Sequence, residues 1–193
     1  AYSKWGAAGI KYGFMRGLRG RGKVNYTRKI ITACAENRLS VNFHDGPVPP
    51  SGDEHTWPNC QTREYCHAQS DAKRSFSPGT FILQAYVNNL MGPIDMDNGM
   101  FDLNNSMAPR PRVFAQVYST IVAEAARTLI IYSGLTVIPD AAGSYRKHRE
   151  LFRFIAAQKQ PWQESRTLAG EMGEYIVTMR QTGDTYLVAA ATD

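Results

Sequence analysis

The chain has 193 residues and carries 22 Lys and Arg against 17 Asp and Glu, a formal charge of +5. With 43% hydrophobic and 20% charged residues it is not an intrinsically disordered chain. At about 150 residues per domain there is room for one domain or slightly more, and no apolar run reaches the roughly 18 residues of a membrane-spanning helix.

The first residues, Ala1-Tyr-Ser-Lys-Trp-Gly6, lack both an initiator Met and a basic-then-apolar leader. They read as the middle of something longer. Gly9 to Met15 is a mostly apolar run bounded by glycines, which predicts a buried strand. Gly17, Gly20 and Gly22 predict a loop, and Asn25 or Thr27 the cap of a helix carrying Ile30, Ile31, Cys34 and Ala35. Leu39 to Phe43 alternates as a second strand and ends at His44-Asp45-Gly46. Pro47 to Asn59 holds four prolines and Gly52. It reads as a long loop, a type that is usually functional.

Pro78-Gly79 opens a helix with Ile82, Tyr86 and Leu90 on one side, closed by Gly92. Pro93 to Asp97 reads as a short strand ending in acids. Val117, Ile121, Ala125, Leu129 and Tyr132 mark a helix stopped by Gly134. Leu135 to Asp140 reads as a strand, and Tyr145, His148, Phe152 and Ile155 as a further helix. Alternating strands and helices imply a parallel sheet with helices outside. Polar residues collect just after the strand ends, at Arg16, His44-Asp45, Asp95, Asp97 and Asp140, where such folds keep their active sites. Beyond Gln160-Pro-Trp162, the runs Tyr175–Arg180 and Thr185–Ala189 predict a hairpin across Gln181-Thr-Gly-Asp184.

Much of the positive charge lies in Arg16, Arg19, Arg21, Lys23, Arg28 and Lys29. These lack the interleaved aromatics of a single-strand binder, so a solvated face is the simpler reading and no nucleic-acid partner is expected. Cys34 reads as core, and the spacing of Cys60 and Cys66 is not a usual zinc spacing. P-loop, GxSxG and HExxH motifs are absent.

Two acidic clusters remain. Asp45, Asp53, Glu54, Glu64 and Asp71, with His44, His55 and His67, supply the material either for a general acid and base or for oxygen ligands of a hard cation. Asp53 and Glu54 read most simply as solvated loop acids, and His44 equally as a core histidine. Asp95, Asp97 and Asn98 could contact a sugar or a metal, but a helix cap or Asx-turn is commoner. Trp57 could stack on a sugar ring or pin its loop to the sheet.

The run Val41-Asn-Phe-His-Asp-Gly-Pro-Val-Pro-Pro-Ser-Gly52, with His55-Thr-Trp-Pro-Asn59 and Thr62-Arg-Glu64, resembles glycoside hydrolase family 97, the α-glucosidases and α-galactosidases of gut-bacterial starch utilisation. Ile10–Met15, Leu90–Gly99 and Thr167–Asp193 agree with it in order. The resemblance implies the C-terminal half of a (β/α)8 barrel over residues 1–160, then the first strands of a C-terminal β-sandwich over 161–193. It implies hydrolysis of α-linked oligosaccharides, Ca2+ dependence and a periplasmic location. Retaining members carry an Asp nucleophile where Gly13 stands, and inverting members a Glu base where Asp45 stands. Lys11 and His44 match substrate-contacting residues. Glu64 matches a Ca2+ ligand, and Asp45 and Asp71 complete the expected ligand set.

The expected activity is therefore inverting, with Asp45 activating a water. The family's general acid would fall on Ser70, which cannot act as one, while the adjacent Asp71 can. The alternative is a sugar-binding relative that has lost its acid.

Overall fold

The computed structural model describes residues 1–15, 17–44, 51–69, 75–104, 106 and 116–193. A 3-10 turn at Tyr2–Trp5 leads into β1 (Gly9–Tyr12), α1 (Gly20–Glu36), β2 (Ser40–Phe43), α2 (Asp53–Thr56) and β3 (Cys60–Arg63). The chain continues through α3 (Pro78–Val87), α4 (Ile121–Ile130), α5 (Ala142–Lys147) and α6 (Arg149–Ala156), and ends in β4 (Glu164–Glu171), β5 (Tyr175–Thr182) and β6 (Thr185–Thr192). The fold is α/β, with one parallel and one antiparallel sheet.

The parallel sheet runs β1-β2-β3 in chain order. Two isolated parallel bridges extend it, Arg63 to Ile94 and Asp97 to Val137. The expected strands at 93–97 and 135–140 are thus reduced to isolated bridges, at Ile94 and Asp97 in the first and at Val137 in the second. β3 was not legible at all, because Cys60-Gln-Thr-Arg63 has no apolar alternation. The reading of Pro47 to Asn59 as loop is corrected over 53–56, where α2 forms, while residues 45–50 lie outside the described part.

Helix α1 begins at Gly20, five residues ahead of Asn25, and Arg19 precedes it in extended conformation without a side-chain cap. Ile31 and Cys34 face inward and pack with Met15, Val41 and Phe43. The caps of α3 and α4 follow the usual chemistry. Ser77 Oγ accepts from Thr80 N–H and Thr120 Oγ1 from Ala123 N–H. Helix α4 ends at Ile130, short of Gly134, because Arg180 from β5 takes its last carbonyls. Nε donates to Leu129 O at 2.8 Å and Nη2 to Ile130 O at 3.1 Å. Arg180→Ala should cost about 3 kcal/mol by stranding these buried carbonyls, read as a lowered melting temperature.

The antiparallel sheet has three strands, not the two of the expected hairpin. β4 is exposed along almost its whole length, so its sequence shows no buried face. Ile176 and Ala189 share a core with Phe81, Ile82, Ile94 and Leu129, which seats this sheet on α3 and α4. Gly134 approaches β3 so closely that an added Cβ would lie 2.1 Å from Gln61 O. Gly134→Ala must therefore push backbone apart, at a cost of about 2 kcal/mol measurable by urea unfolding.

Candidate functional site

The register of the parallel sheet sets two rows of side chains. Lys11 pairs with Asn42, and Asn42 with Thr62. Two residues further along each strand stand Gly13, His44 and Glu64, on the same face by strand alternation. Two hydrogen bonds carry the ladder to this level, from His44 N–H to Tyr12 O and from Glu64 N–H to Phe43 O. Asp95 follows the bridge residue Ile94, and its N–H donates to Arg63 O. This is the C-terminal end of the strands, where parallel sheets place ligands.

Asp95 is the centre of the group, only 1% exposed. Its carboxylate meets His44 Nδ1 at 2.5 Å, Lys11 Nζ at 3.1 Å and Asn42 Nδ2 at 3.0 Å. Burial alone would raise its pKa, but the hydrogen bonds from His44 and Asn42 and the charge of Lys11 hold it below the usual carboxylate value. The Asp95 hydrogen bond in turn raises the pKa of His44, against the opposing effect of burial, with Glu64 adding to the rise and Lys11 opposing it. His44 therefore has its Nδ1 fixed on a carboxylate.

Glu64 is buried, with Oε2 3.9 Å from His44 Nδ1 and Oε1 accepting from Ala68 N–H. Cys66 lies within electrostatic reach of Glu64, Asp95 and Asp97. Burial first, then these acids, push its thiol up to about 12, so it is protonated and not a nucleophile.

Of the expected site residues, Lys11, His44 and Glu64 come together. Asp45, Ser70 and Asp71 lie outside the described residues. His67 is exposed and joins no described cluster. The reading of Asp95 as a cap or Asx-turn residue is corrected, since Lys11 of β1, Asn42 of β2 and His44 just after β2 converge on it. Asn42 was also missed. Its signal was a polar residue between Val41 and Phe43 in an otherwise apolar strand, where burial demands a partner.

Asp53 and Glu54 are likewise not solvated. Both meet the guanidinium of buried Arg63, Asp53 Oδ2 at 3.1 Å from Nη2 and Glu54 Oε1 against Nε. Arg28 Nε reaches Asp53 Oδ1 at 2.9 Å, and Tyr65 Oη donates to Glu54. The clamp fixes the chain just after the segment that carries Asp45. Trp57 packs on the Met15–Ile31–Phe43 cluster, so it pins its loop. Downstream of Asp95, the buried Glu124 carboxylate accepts from Gly99 and Met100 N–H and pairs with Arg127, which holds the next loop in place.

Among the described residues, no group of three or more His, Cys, Asp or Glu side chains is arranged to hold a metal ion. No described helix is long and apolar enough to cross a membrane.

Comparison with known proteins gives the site a context. The family model "Glycoside hydrolase 97" matches residues 1–66. A retaining alpha-galactosidase of Bacteroides thetaiotaomicron is 29% identical over 200 aligned residues, covering 100% of this chain and 30% of that protein. A probable retaining alpha-galactosidase of Streptomyces bingchenggensis is 25% identical over 185 residues, 96% of this chain and 27% of that one. A family 97 enzyme from Pseudoalteromonas sp. strain K8, solved with acarbose, superposes with a TM-score of 0.84 at 24% identity, over 100% of this chain and 33% of that one. A beta-arabinopyranosidase structure gives the same TM-score at 21% identity, over 99% of this chain and 31% of that one. The chain thus spans about a third of the length of the proteins it matches. The family model thus matches the N-terminal third of the chain, and the fold of the family 97 structures matches it from end to end.

Proposed function

We propose that this chain supplies the C-terminal half of a (β/α)8 catalytic barrel (residues 1–160) and the start of a β-sandwich (161–193) in a periplasmic enzyme that hydrolyses α-glycosidic bonds in oligosaccharides. The observation that carries the reading is the convergence of Lys11, Asn42 and His44 on buried Asp95 beside Glu64, at the C-terminal ends of parallel strands. Such a cluster presents hydrogen-bond donors to sugar hydroxyls from the half-exposed Lys11 ammonium. The names of the two curated relatives support an α-galactoside as first substrate. The acarbose and panose complexes of the Pseudoalteromonas proteins support an α-glucoside as second.

In the proposed mechanism Asp45 takes a proton from a water that attacks the anomeric carbon, and Asp71 protonates the departing oxygen. An inverting pair stands about 6.5–9.5 Å apart to admit that water. Inversion is favoured by Gly13, which puts no carboxylate in the row of His44 and Glu64. Retention is the second reading, favoured by the relatives' names. Ca2+ belongs to the same proposal. Buried Glu64, with Asp45 and Asp71, offers the oxygen donors that suit a hard cation, and Ca2+ so held would supply positive charge beside the sugar.

The test is turnover of aryl α-galactoside and aryl α-glucoside by the intact protein, with Ca2+ and with chelator. Hydrolysis that falls on chelation and returns with Ca2+ is expected. Asp71→Asn should reduce turnover by about a hundredfold or more, the usual worth of a general acid. Sugar binding without turnover in the unaltered protein would instead establish the non-catalytic relative.

A further inference from the structure

At the other end of the same strands lies a cavity of about 410 Å³, lined among others by Glu54, Gln61, Tyr132, Gln160 and Trp162. Gln61 is the second residue of β3 and Glu64 follows its last, so three residues, about 10 Å of extended chain, separate the cavity from the site above. The cavity lies where the parallel sheet meets the segment entering the antiparallel one, a junction of the kind that commonly holds ligands. Its volume is within the usual range of about 300–1,000 Å³ for small-molecule sites.

Two features show what it would take. Tyr132 and Trp162 bring two aromatic rings to one wall, and Arg180 braces both from 5.2 and 5.9 Å of the ring centres. The Glu54 side chain is 4% exposed, and its Oε1 is used by Arg63 and Tyr65 while Oε2 has no hydrogen-bond partner. Gln61 and Gln160 fix their amide nitrogens on Pro58 O and Ser133 O, which leaves each amide oxygen as an acceptor. The cavity thus combines flat apolar faces with acceptors for hydroxyl donors. A pyranose has matching parts, an apolar C–H face and a rim of hydroxyls.

We propose that this cavity is a second saccharide-binding site, separate from the one at the C-terminal strand ends. The test uses the intact protein carrying Asp45→Asn to stop turnover, titrated with maltotriose and with stachyose by tryptophan fluorescence. Trp162→Ala should weaken this binding phase by about tenfold, while Trp162→Phe should stay close to the parent. In the Asp45-intact background, Trp162→Ala should hydrolyse aryl α-glycosides at the parent rate. Thermal melts of each variant separate lost binding from lost fold. A titration unchanged by Trp162→Ala in a folded variant would overturn the proposal, as would a single binding phase abolished by His44→Ala. Failure to hydrolyse aryl glycosides would count against the catalytic reading and leave the titration of the cavity as informative as before.

Discussion

Asp95→Ala should reduce kcat/KM on aryl α-glycosides by about a hundredfold or more, the loss expected when substrate-positioning groups move by about 1 Å. The carboxylate holds Lys11, Asn42 and His44 together, and its removal frees all three. Asp95→Asn separates charge from shape. The amide oxygen can still accept one hydrogen bond, but the charge that raises the His44 pKa is gone. The His44 pKa should then fall back toward 6.5, which ring-nitrogen NMR would read directly. The sign of the linkage follows from the two shifts. The Asp95 pKa is depressed, so its contribution to stability is present above about pH 4 and is lost as pH falls through the folded value. The His44 pKa is raised, so its contribution is full below 6.5 and is lost as pH rises through its folded value. Stability contributed by the pair should therefore be greatest in the window between, and Asp95→Asn should flatten it.

Arg63→Met should destabilise the chain by about 3–5 kcal/mol, because it leaves buried acids without their counter-ion. Arg28 still reaches Asp53 from the surface, so the group left worst placed is Glu54, with only Tyr65 as a donor. Met retains the aliphatic bulk against Phe43, where the guanidinium sits 4.6 Å from the ring centre, so the loss reports the ion network more than a cavity. Urea unfolding measures it. Because the clamp also fixes Asp53 and Glu54, which follow Asp45 in the chain, activity should fall at temperatures where the variant is still folded.

Much of this fold was legible in sequence where periodicity was strong. β1, β2 and the apolar faces of α1, α3 and α4 follow from Ile10, Val41, Ile31, Ile82 and Leu129. The failures have physical causes. β3 is four residues of mixed character held by neighbours on both sides, so its own pattern carries no signal. The strands expected at 93–97 and 135–140 have strand-like composition, yet they form only isolated bridges. β4 is exposed along nearly its full length and betrays no burial period. In the site, Lys11, His44 and Glu64 were legible through a family pattern. Asp95 was not, because an acid after a short apolar run looks the same whether it caps a turn or anchors three partners from other strands. Asp53 and Glu54 were misjudged for the same reason: their partner Arg63 lies outside any local spacing rule.

The measurement that bears most directly on the proposed chemistry is the configuration of the sugar at the moment of its release. The intact protein would be given an aryl α-galactoside and an aryl α-glucoside, with the first product followed by proton NMR before mutarotation. With Gly13 in place of a nucleophile and Asp45 acting on water, the β-anomer should appear first. An α-anomer would contradict this, and would require a carboxylate nucleophile at a position other than Gly13.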